Sequence, residues 1–322
     1  MRNKRTLSLA SLTLIATALA VVTCAPFSSA STPRYLTPAN SSTPPSVCAP
    51  VPTHCSETGW VNVVPWSSAT GAVKVVHFHP VGQPTVMATA GWFKSSAVTV
   101  GLYLGYKGPG GLPASVSRGP QAVPASGRSR LLATFNSGFY ENDSLAGFYT
   151  HDHIYFPFRN GLATLVRYND GTYDVISWTN GNVIPANVLM ARQNLFLMVN
   201  AGVATKAAAN NRMWGWTYKG FAAVWRSAIG VDANGNLVYV NAPDQTSATF
   251  AHLLTELNLV RAMQLDINPE WPILATYRGP NAQSPILQNP NPNQVPGRFL
   301  TTTTKDFFAV FASQSVGEPQ PW

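Results

Sequence analysis

Charged residues are scarce in this sequence. Asp, Glu, Lys and Arg make up 11% of the 322 residues, with 13 acidic side chains against 21 basic ones. The basic residues are scattered along the chain and form no run, so the concentrated positive surface of a nucleic-acid-binding protein is missing. We therefore expect no nucleic-acid partner.

Several familiar catalytic motifs are also absent. The chain contains no GxSxG elbow, no HExxH pair and no phosphate-cradling P-loop. These absences exclude the common serine hydrolases, zinc proteases and NTPases as interpretations. Any chemistry must rest on another set of side chains.

Cysteine is limited to three residues. Cys24 lies in an apolar N-terminal run, which leaves Cys48 and Cys55 in the stretch CAPVPTHC. An even pair in an oxidising compartment predicts a disulfide that closes a short loop. Metal binding by Cys48, His54 and Cys55 is the alternative, but no fourth ligand lies nearby in the sequence.

The N-terminus has the pattern of a secretory signal. Three of the first five residues are basic, an apolar run covers residues 7–24, and small residues follow at 28–30. This pattern predicts a signal peptide over residues 1–30, with an uncleaved single-span anchor as the alternative. Either way the rest of the protein is expected to be secreted or extracytoplasmic, associated with the cell envelope, without stable membrane insertion of the mature domain. The oligomeric state stays open.

The remaining chain divides into a linker and one domain. Residues 31–56 are rich in Pro, Ser and Thr, which predicts an extended linker. Residues 57–322 carry many β-branched and aromatic runs, with hairpin turns predicted at 169–171 and 234–235. Helices are predicted over 249–259, with Ser247 or Thr249 as N-cap, and over 186–197. The expected fold class is α+β, with mixed or antiparallel sheets and a few helices.

The few carboxylates permit a search by elimination. Most Asp and Glu residues lie in hairpin turns, on the helix or near the termini, where Asp commonly makes local hydrogen bonds. Five follow strand ends or aromatic loops and form the shortlist: Glu141, Asp143, Asp152, Asp266 and Glu270. The stretch AMQLDINPEW (262–271) contains two of them, and there Trp271 offers a stacking face for a sugar ring.

Two other stretches contain candidate binding residues. In NSGFYENDS (136–144), Asn136 ends an apolar strand and Gly138 permits a tight turn, so amide and backbone N–H groups there could hold a sugar hydroxyl or an anionic oxygen. An Asx-turn that closes the strand is the alternative. A metal site is one interpretation of His151, Asp152 and His153, because His151 and His153 would face the same side of a strand. An exposed hairpin turn is equally consistent, and no cofactor is expected overall.

The order of several motifs resembles the phosphodiester glycosidase domain family. Each motif alone is weak, but their order along residues 130–275 is more specific. They are Asn136-Ser137-Gly138-Phe139-Tyr140, Gly147-Phe148-Tyr149, RQNLFLMVNAG (192–202), Arg226-Ser227-Ala228-Ile229-Gly230 with Asp232, and a strand that ends in Leu265-Asp266. The resemblance implies a site built from strand ends where Asn136, Arg226 and Asp266 meet.

The resemblance also implies roles for these residues. Arg226 would neutralise a phosphate or a departing oxyanion. Asn136 would orient sugar hydroxyls, and Asp266 would stabilise oxocarbenium charge or activate water. The further candidate substrate-binding residues are Gly138, Tyr140, Asn268 and Trp271. A salt bridge for Arg226 and a strand cap for Asp266 are the structural alternatives.

The chain departs from the family pattern directly after Asp266. A Gly-Gly-Gly-Ser loop would surround an anion with N–H groups, whereas Pro269 has no N–H and Glu270 adds negative charge. An ordinary glycosidase that uses Asp266 and Glu270 therefore becomes a second possibility for the chemistry. The sequence predicts a hydrolase that cleaves a glycosyl phosphodiester or a glycosidic bond in an envelope or extracellular glycan. A non-catalytic module that binds wall glycan on the same scaffold is the competing hypothesis.

Overall fold

Antiparallel pairing joins the neighbouring strands of this fold. The computed structural model describes residue 44 and residues 59–313, and it arranges them in one eight-stranded and two five-stranded sheets. Each pairing within these sheets is antiparallel. The predicted α+β class is confirmed. The predicted signal peptide, linker and Cys48–Cys55 disulfide lie outside the described residues.

The eight-stranded sheet forms the centre of the described structure. In spatial order it contains β1 (Val61–Asn62), β2 (Val73–Phe78), β3 (Ala88–Phe93), β14 (Leu237–Gln245), β13 (Val224–Val231), β15 (Arg261–Gln264), β11 (Leu197–Asn200) and β12 (Val203–Ala204).

The two five-stranded sheets complete the β-structure of the described residues. One contains, in spatial order, β7 (His153–Phe156), β6 (Phe148–Thr150), β10 (Val188–Gln193), β8 (Ala163–Tyr168) and β9 (Tyr173–Ser177). The other contains β17 (Gln283–Leu287), β16 (Leu274–Gly279), β5 (Leu131–Asn136), β18 (Phe307–Ala312) and β4 (Val98–Tyr103).

Both predicted hairpins are confirmed. β8 and β9 pair across the Asn169-Asp170-Gly171 turn, and β13 and β14 pair across the turn at Asn234-Gly235. Gly171 and Gly235 have φ of 85° and 78°, which is the left-handed backbone that these turns require and that glycine adopts at little cost.

The predicted helix at 249–259 exists with different limits. It is α2 (Ser247–Glu256), and α1 (Glu141–Ser144) is a single turn after β5. The predicted N-caps were wrong. Thr246 is the N-cap, because its hydroxyl accepts from the Thr249 N–H at 3.1 Å while the Thr249 hydroxyl accepts from the Thr246 N–H at 3.0 Å. This reciprocal capping box satisfies two N–H groups that a helix start leaves unpaired.

The helix predicted over 186–197 was wrong, because this segment forms β10. β10 lies between β6 and β8 and hydrogen-bonds to both. Its short apolar run does not distinguish helix from strand by periodicity, and the two neighbouring strands decide the outcome. The Asn- and Pro-rich stretch 279–298 also contains a strand, β17, which pairs with β16.

Apolar side chains from all three sheets meet in one core. Phe93 of the eight-stranded sheet stacks on Phe135 of β5 with ring centroids 5.7 Å apart, and Phe148 of β6 belongs to the same buried cluster. The opposite face of the eight-stranded sheet is covered by α2, where Phe250 and Leu254 are buried. The sheets therefore fix one another, and their strand ends are held at defined positions.

Candidate active site

Strand pairing brings two chain segments together at one end of the fold. β18 runs opposite to β5 with Phe307 facing Asn136. The residues that enter β18, Lys305 and Asp306, therefore adjoin the residues that leave β5. Polar side chains on these two segments are close in space although the sequence separates them widely.

The exit of β15 joins the same place. Asp266 follows β15, and its backbone N–H donates to the Ser137 carbonyl at 3.2 Å. The Ser227 hydroxyl on β13 donates to the Asp266 carbonyl at 2.7 Å. Asp266 is therefore tied to two other strands through its backbone, which leaves its carboxylate free to point elsewhere.

A cleft of about 1100 Å³ opens at this end of the structure. The Asp266 carboxylate, the Lys305 ammonium and the exposed Asp143 and Asp244 belong to its lining. Aromatic rings form much of the rest: Phe139, Tyr140, Trp216, Phe221, Trp225 and Trp271. Apolar walls with a few polar groups are typical of ligand sites.

A buried ion pair lies in this cleft. The Lys305 Nζ donates to the Asp266 Oδ2, and both residues are 3% exposed. The Asp266 Oδ1 accepts from the Asn268 N–H at 2.8 Å. One carboxylate oxygen thus faces a cation and the other caps the following turn.

Two aromatic rings lie against the buried Lys305 ammonium and stabilise its positive charge. Its Nζ lies 4.7 Å from the ring centre of Tyr140 and 5.2 Å from that of Trp271. Burial lowers the pKa of Lys305 to about 7 from 10.5, although nearby Asp306 opposes this change. A lysine whose pKa lies near neutrality can give or take a proton at physiological pH.

A second layer of buried charges lies behind the pair. Arg192 on β10 donates to the Asp306 Oδ2 at 2.8 Å and lies 2.9 Å from the Glu141 Oε1. All three are almost fully buried. Burial raises the pKa of the Glu141 carboxyl, and Arg192 opposes that rise. Arg192 therefore couples α1 to the segment that carries Lys305.

Asn136 lies at the strand junction, and its side chain is fully occupied by protein. Its Nδ2 donates to the Ser137 carbonyl and the Ser227 hydroxyl, both at 2.9 Å. Its Oδ1 accepts from the Tyr239 hydroxyl at 2.6 Å and from the Ile273 N–H at 3.1 Å. These four bonds satisfy the amide, so its role in this structure is to hold strand ends.

Arg226 is buried behind the cleft rather than in its lining. Its guanidinium donates to the Gln245 carbonyl at 2.9 Å, to the Asn211 Oδ1 at 2.8 Å, and to the Gln264 Oε1 and the Trp214 carbonyl. These acceptors are all neutral, and burial lowers the pKa of Arg226 to about 10. Arg226 thereby fixes the segment around 211–214 on the eight-stranded sheet.

The other residues proposed from the sequence are divided between the cleft and its surroundings. Tyr140, Asn268 and Trp271 line the cleft, and the Tyr140 and Trp271 rings make an edge contact at 6.3 Å. Gly138 is buried against Asn194, whose Cγ would lie 3.0 Å from an added Cβ. Glu270 is exposed and outside the lining, and its N–H donates to the Asn268 Oδ1 at 3.0 Å.

The His151, Asp152 and His153 stretch is a turn rather than a continuous strand. His151 and Asp152 have φ of 50° and 53° and connect β6 to β7, which begins at His153. The predicted alternation of both histidines along one strand was wrong, because the positive φ values reverse the chain there. Within residues 59–313, no group of three or more His, Cys, Asp or Glu side chains is placed to hold a metal ion.

Sequence reasoning missed Lys305, Asp306 and Arg192 as members of the site. Asp306 is not among the five shortlisted carboxylates, and Arg192 falls in the segment predicted to be helical. The one available signal was an adjacent Lys-Asp pair directly before an apolar strand, FFAVFA. The density of aromatic residues in MWGWTYKGF (213–221) is a further signal, because this segment forms part of the cleft wall.

One solved structure that is similar to this chain is a glycosidase domain. The catalytic domain of zebrafish N-acetylglucosamine-1-phosphodiester alpha-N-acetylglucosaminidase, auto-inhibited by its pro-peptide, is 16% identical with a TM-score of 0.50. The match covers 87% of this chain and 98% of that one. A hypothetical protein from Synechocystis is 14% identical with a TM-score of 0.42, over 76% of this chain and 63% of that one.

The first of these comparisons shows a phosphodiester-glycosidase-like fold. This confirms the fold that the ordered motifs predicted. No family model matches the chain, and no curated protein sequence matches it. No helix among the described residues is long and apolar enough to cross a membrane.

Proposed function

We propose that this protein is an extracytoplasmic glycoside hydrolase whose reaction centre is the Asp266–Lys305 pair. The observation that carries the proposal is a buried carboxylate–ammonium pair on the wall of an aromatic cleft. Aromatic rings pack against the apolar faces of sugars, and the pair supplies two groups that can move protons or stabilise charge. The N-terminal signal pattern supports the extracytoplasmic location.

The two groups have complementary roles in the proposed reaction. The Asp266 carboxylate stabilises positive charge at the anomeric carbon. The bond between the anomeric carbon and the leaving oxygen breaks, and Lys305 gives its proton to that oxygen. A water then bonds to the anomeric carbon from the side of the pair and gives one proton to the neutral Lys305 amine, so the net reaction adds one water across the bond. Burial of Lys305 supports this role, because it makes loss of the proton easier.

The bond to be cleaved is a glycosyl phosphodiester or an ordinary glycosidic bond. Lys305 in the cleft favours the departure of an anionic phosphate. Glu270 points away from the cleft lining, which removes one source of repulsion. Asp143 and Asp244, which are exposed in the same lining, act in the opposite direction and favour an uncharged leaving group.

A non-catalytic glycan-binding module is the second candidate. The observation that favours it is that both oxygens of Asp266 already have partners, Lys305 and the Asn268 N–H. A carboxylate held in this way could serve to fix the cleft wall without attacking a substrate. The aromatic lining would then bind glycan and release it unchanged.

Hydrolysis assays distinguish these candidates. Purified mature protein is incubated with a glycosyl phosphodiester panel and an aryl glycoside panel, and Asp266→Asn and Lys305→Gln are measured beside it. We expect turnover on one panel and a loss of about 100-fold or more in both variants, as for removal of a proton-transfer group. Lys94→Gln, at a position outside the cleft lining, is the matched control. Glycan binding without turnover on either panel would support the binding module instead.

A further inference from the structure

The cleft is larger than a single sugar at Asp266 and Lys305 requires. Its volume of about 1100 Å³ is at the upper end of the roughly 300–1000 Å³ that is usual for a ligand site. The extra lining comes from the segment between β12 and β13, which contributes Trp216, Thr217 and Phe221. This part of the cleft has no role in the proposed bond cleavage.

The Trp216 and Phe221 side chains are exposed to an unusual degree. Trp216 is 83% exposed and Phe221 is 58% exposed, and both still border the cleft. Large aromatic side chains gain more from burial than other residues do, so two of them exposed at a cleft rim indicate a ligand surface.

The segment that carries Trp216 is fixed at its base. The Trp214 side chain is fully buried, and its carbonyl accepts from the Gln264 Nε2 at 2.9 Å and also from Arg226. Gly215 has φ of 103° and packs so closely that a Cβ would lie 2.7 Å from the Phe139 ring. The chain is therefore anchored at Trp214, turned at Gly215, and exposes its next residue, Trp216.

The end of the segment that follows Phe221 is also connected to Arg226, through Asn211. Asn211 accepts from Arg226 through its Oδ1 and donates from its Nδ2 to the Ala222 carbonyl at 3.0 Å. The Thr217 hydroxyl donates to the Phe221 carbonyl at 2.7 Å. Arg226 thus acts as a positioning residue that holds both ends of the loop that presents Trp216 and Phe221.

The charges in the cleft lining limit the chemical class of ligand that can bind there. Lys305 is matched by Asp266, and the acids that remain are Asp143 and Asp244. Their negative charge disfavours an anionic group within the cleft lining. Flat aromatic faces beside polar groups fit the alternating apolar and hydroxyl surfaces of an uncharged sugar chain.

We propose that Trp216 and Phe221 form a further subsite of the same cleft, beyond the Asp266–Lys305 pair, that binds an uncharged glycan chain. This inference rests on the proposed function for the position of the reaction centre. It assigns the substrate class to neutral oligo- or polysaccharides rather than to small glycosyl phosphodiesters. Trp216 is a binding residue in this account and takes no part in bond cleavage.

Calorimetric titration with glycans of two lengths tests the proposal. The probes are the hexasaccharides and disaccharides of the chitin, cellulose and β-mannan series, titrated into the mature protein. For one series we expect the hexasaccharide to bind about tenfold or more tightly than the disaccharide, and Trp216→Ala to reduce only the hexasaccharide affinity by about tenfold. Phe221→Ala should have a smaller effect in the same direction.

Val183→Ala provides the matched control, because Val183 is 71% exposed and does not line the cleft. It should leave both affinities unchanged. Equal affinity for the two lengths, no binding of any hexasaccharide, or no effect of Trp216→Ala would each overturn the proposal. Sedimentation with phosphatidylglycerol vesicles that depends on Trp216 would assign the loop to lipid and would also overturn it.

The outcome is separable from that of the proposed function. If the protein binds longer glycans more tightly through Trp216 but hydrolyses no substrate, the proposed subsite is supported and the proposed hydrolase activity is contradicted. If it hydrolyses substrates regardless of chain length and of Trp216→Ala, the hydrolase activity is supported and the subsite is contradicted.

Discussion

Removal of Lys305 should expose how the buried ion pair contributes to stability. In Lys305→Met the side-chain volume is nearly kept, but the Asp266 carboxylate loses its cation while it stays 3% exposed. Its one remaining described hydrogen bond is the one from the Asn268 N–H. A buried charge in this position is poorly solvated, and the folded state carries that cost.

The expected loss in the free energy of unfolding is about 3–5 kcal/mol, the usual consequence of removing one partner of a buried pair. Asp266→Asn should cost less, because Lys305 already has a lowered pKa and can release its proton. The double variant Lys305→Met/Asp266→Asn removes both charges. It should therefore recover most of the loss and give a coupling energy of at least about 2 kcal/mol.

Urea unfolding of the four proteins, followed by far-UV circular dichroism, measures these differences. Additive single and double variants, or a loss below about 1 kcal/mol, would refute the inference that the pair is buried and coupled.

Three further predictions concern individual residues of the site. Asn136→Ala should destabilise the protein by about 2–5 kcal/mol in urea unfolding, because the Tyr239 hydroxyl and the Ile273 N–H lose their buried acceptor. A loss below about 1 kcal/mol would show that the Asn136 hydrogen bonds are not needed to hold the strand ends. Glu270→Gln should change kcat by less than about twofold, since this side chain is exposed outside the cleft lining; a loss equal to that of Asp266→Asn would place Glu270 in the chemistry. If Lys305 donates a proton, kcat should fall as pH rises past its pKa of about 7, and this alkaline limb should be absent from any residual activity of Lys305→Gln.

Local chemistry in the sequence accounts for much of the fold. Asn-Asp-Gly and Asn-Gly turns specify two hairpins through residues that tolerate positive φ, and these hairpins form as predicted. The apolar face of α2 follows from helical spacing in the same way. The strand that ends before Asp266 was also predictable, because an apolar run stops there at a carboxylate.

Other elements depended on distant partners. β10 is a strand because β6 and β8 pair with it on both sides, and neither neighbour is specified by the local sequence around Met190. The predicted N-cap of α2 was wrong because several neighbouring residues could fill that position. Thr246, Ser247 and Thr249 are all acceptable caps, and only the hydrogen bonds in the folded helix distinguish them.

The composition of the site was decided mainly by tertiary structure. The end of a strand at Asp266, among aromatic residues, could be predicted from ten consecutive residues of the sequence. Only the pairing of β18 with β5 placed Lys305 against it, across 39 residues of chain. The same packing buried Arg226 under the loop of Trp216 and turned Glu270 outward. Side-chain proximity in an antiparallel fold is set by strand order and register, and residue type alone does not encode either of them.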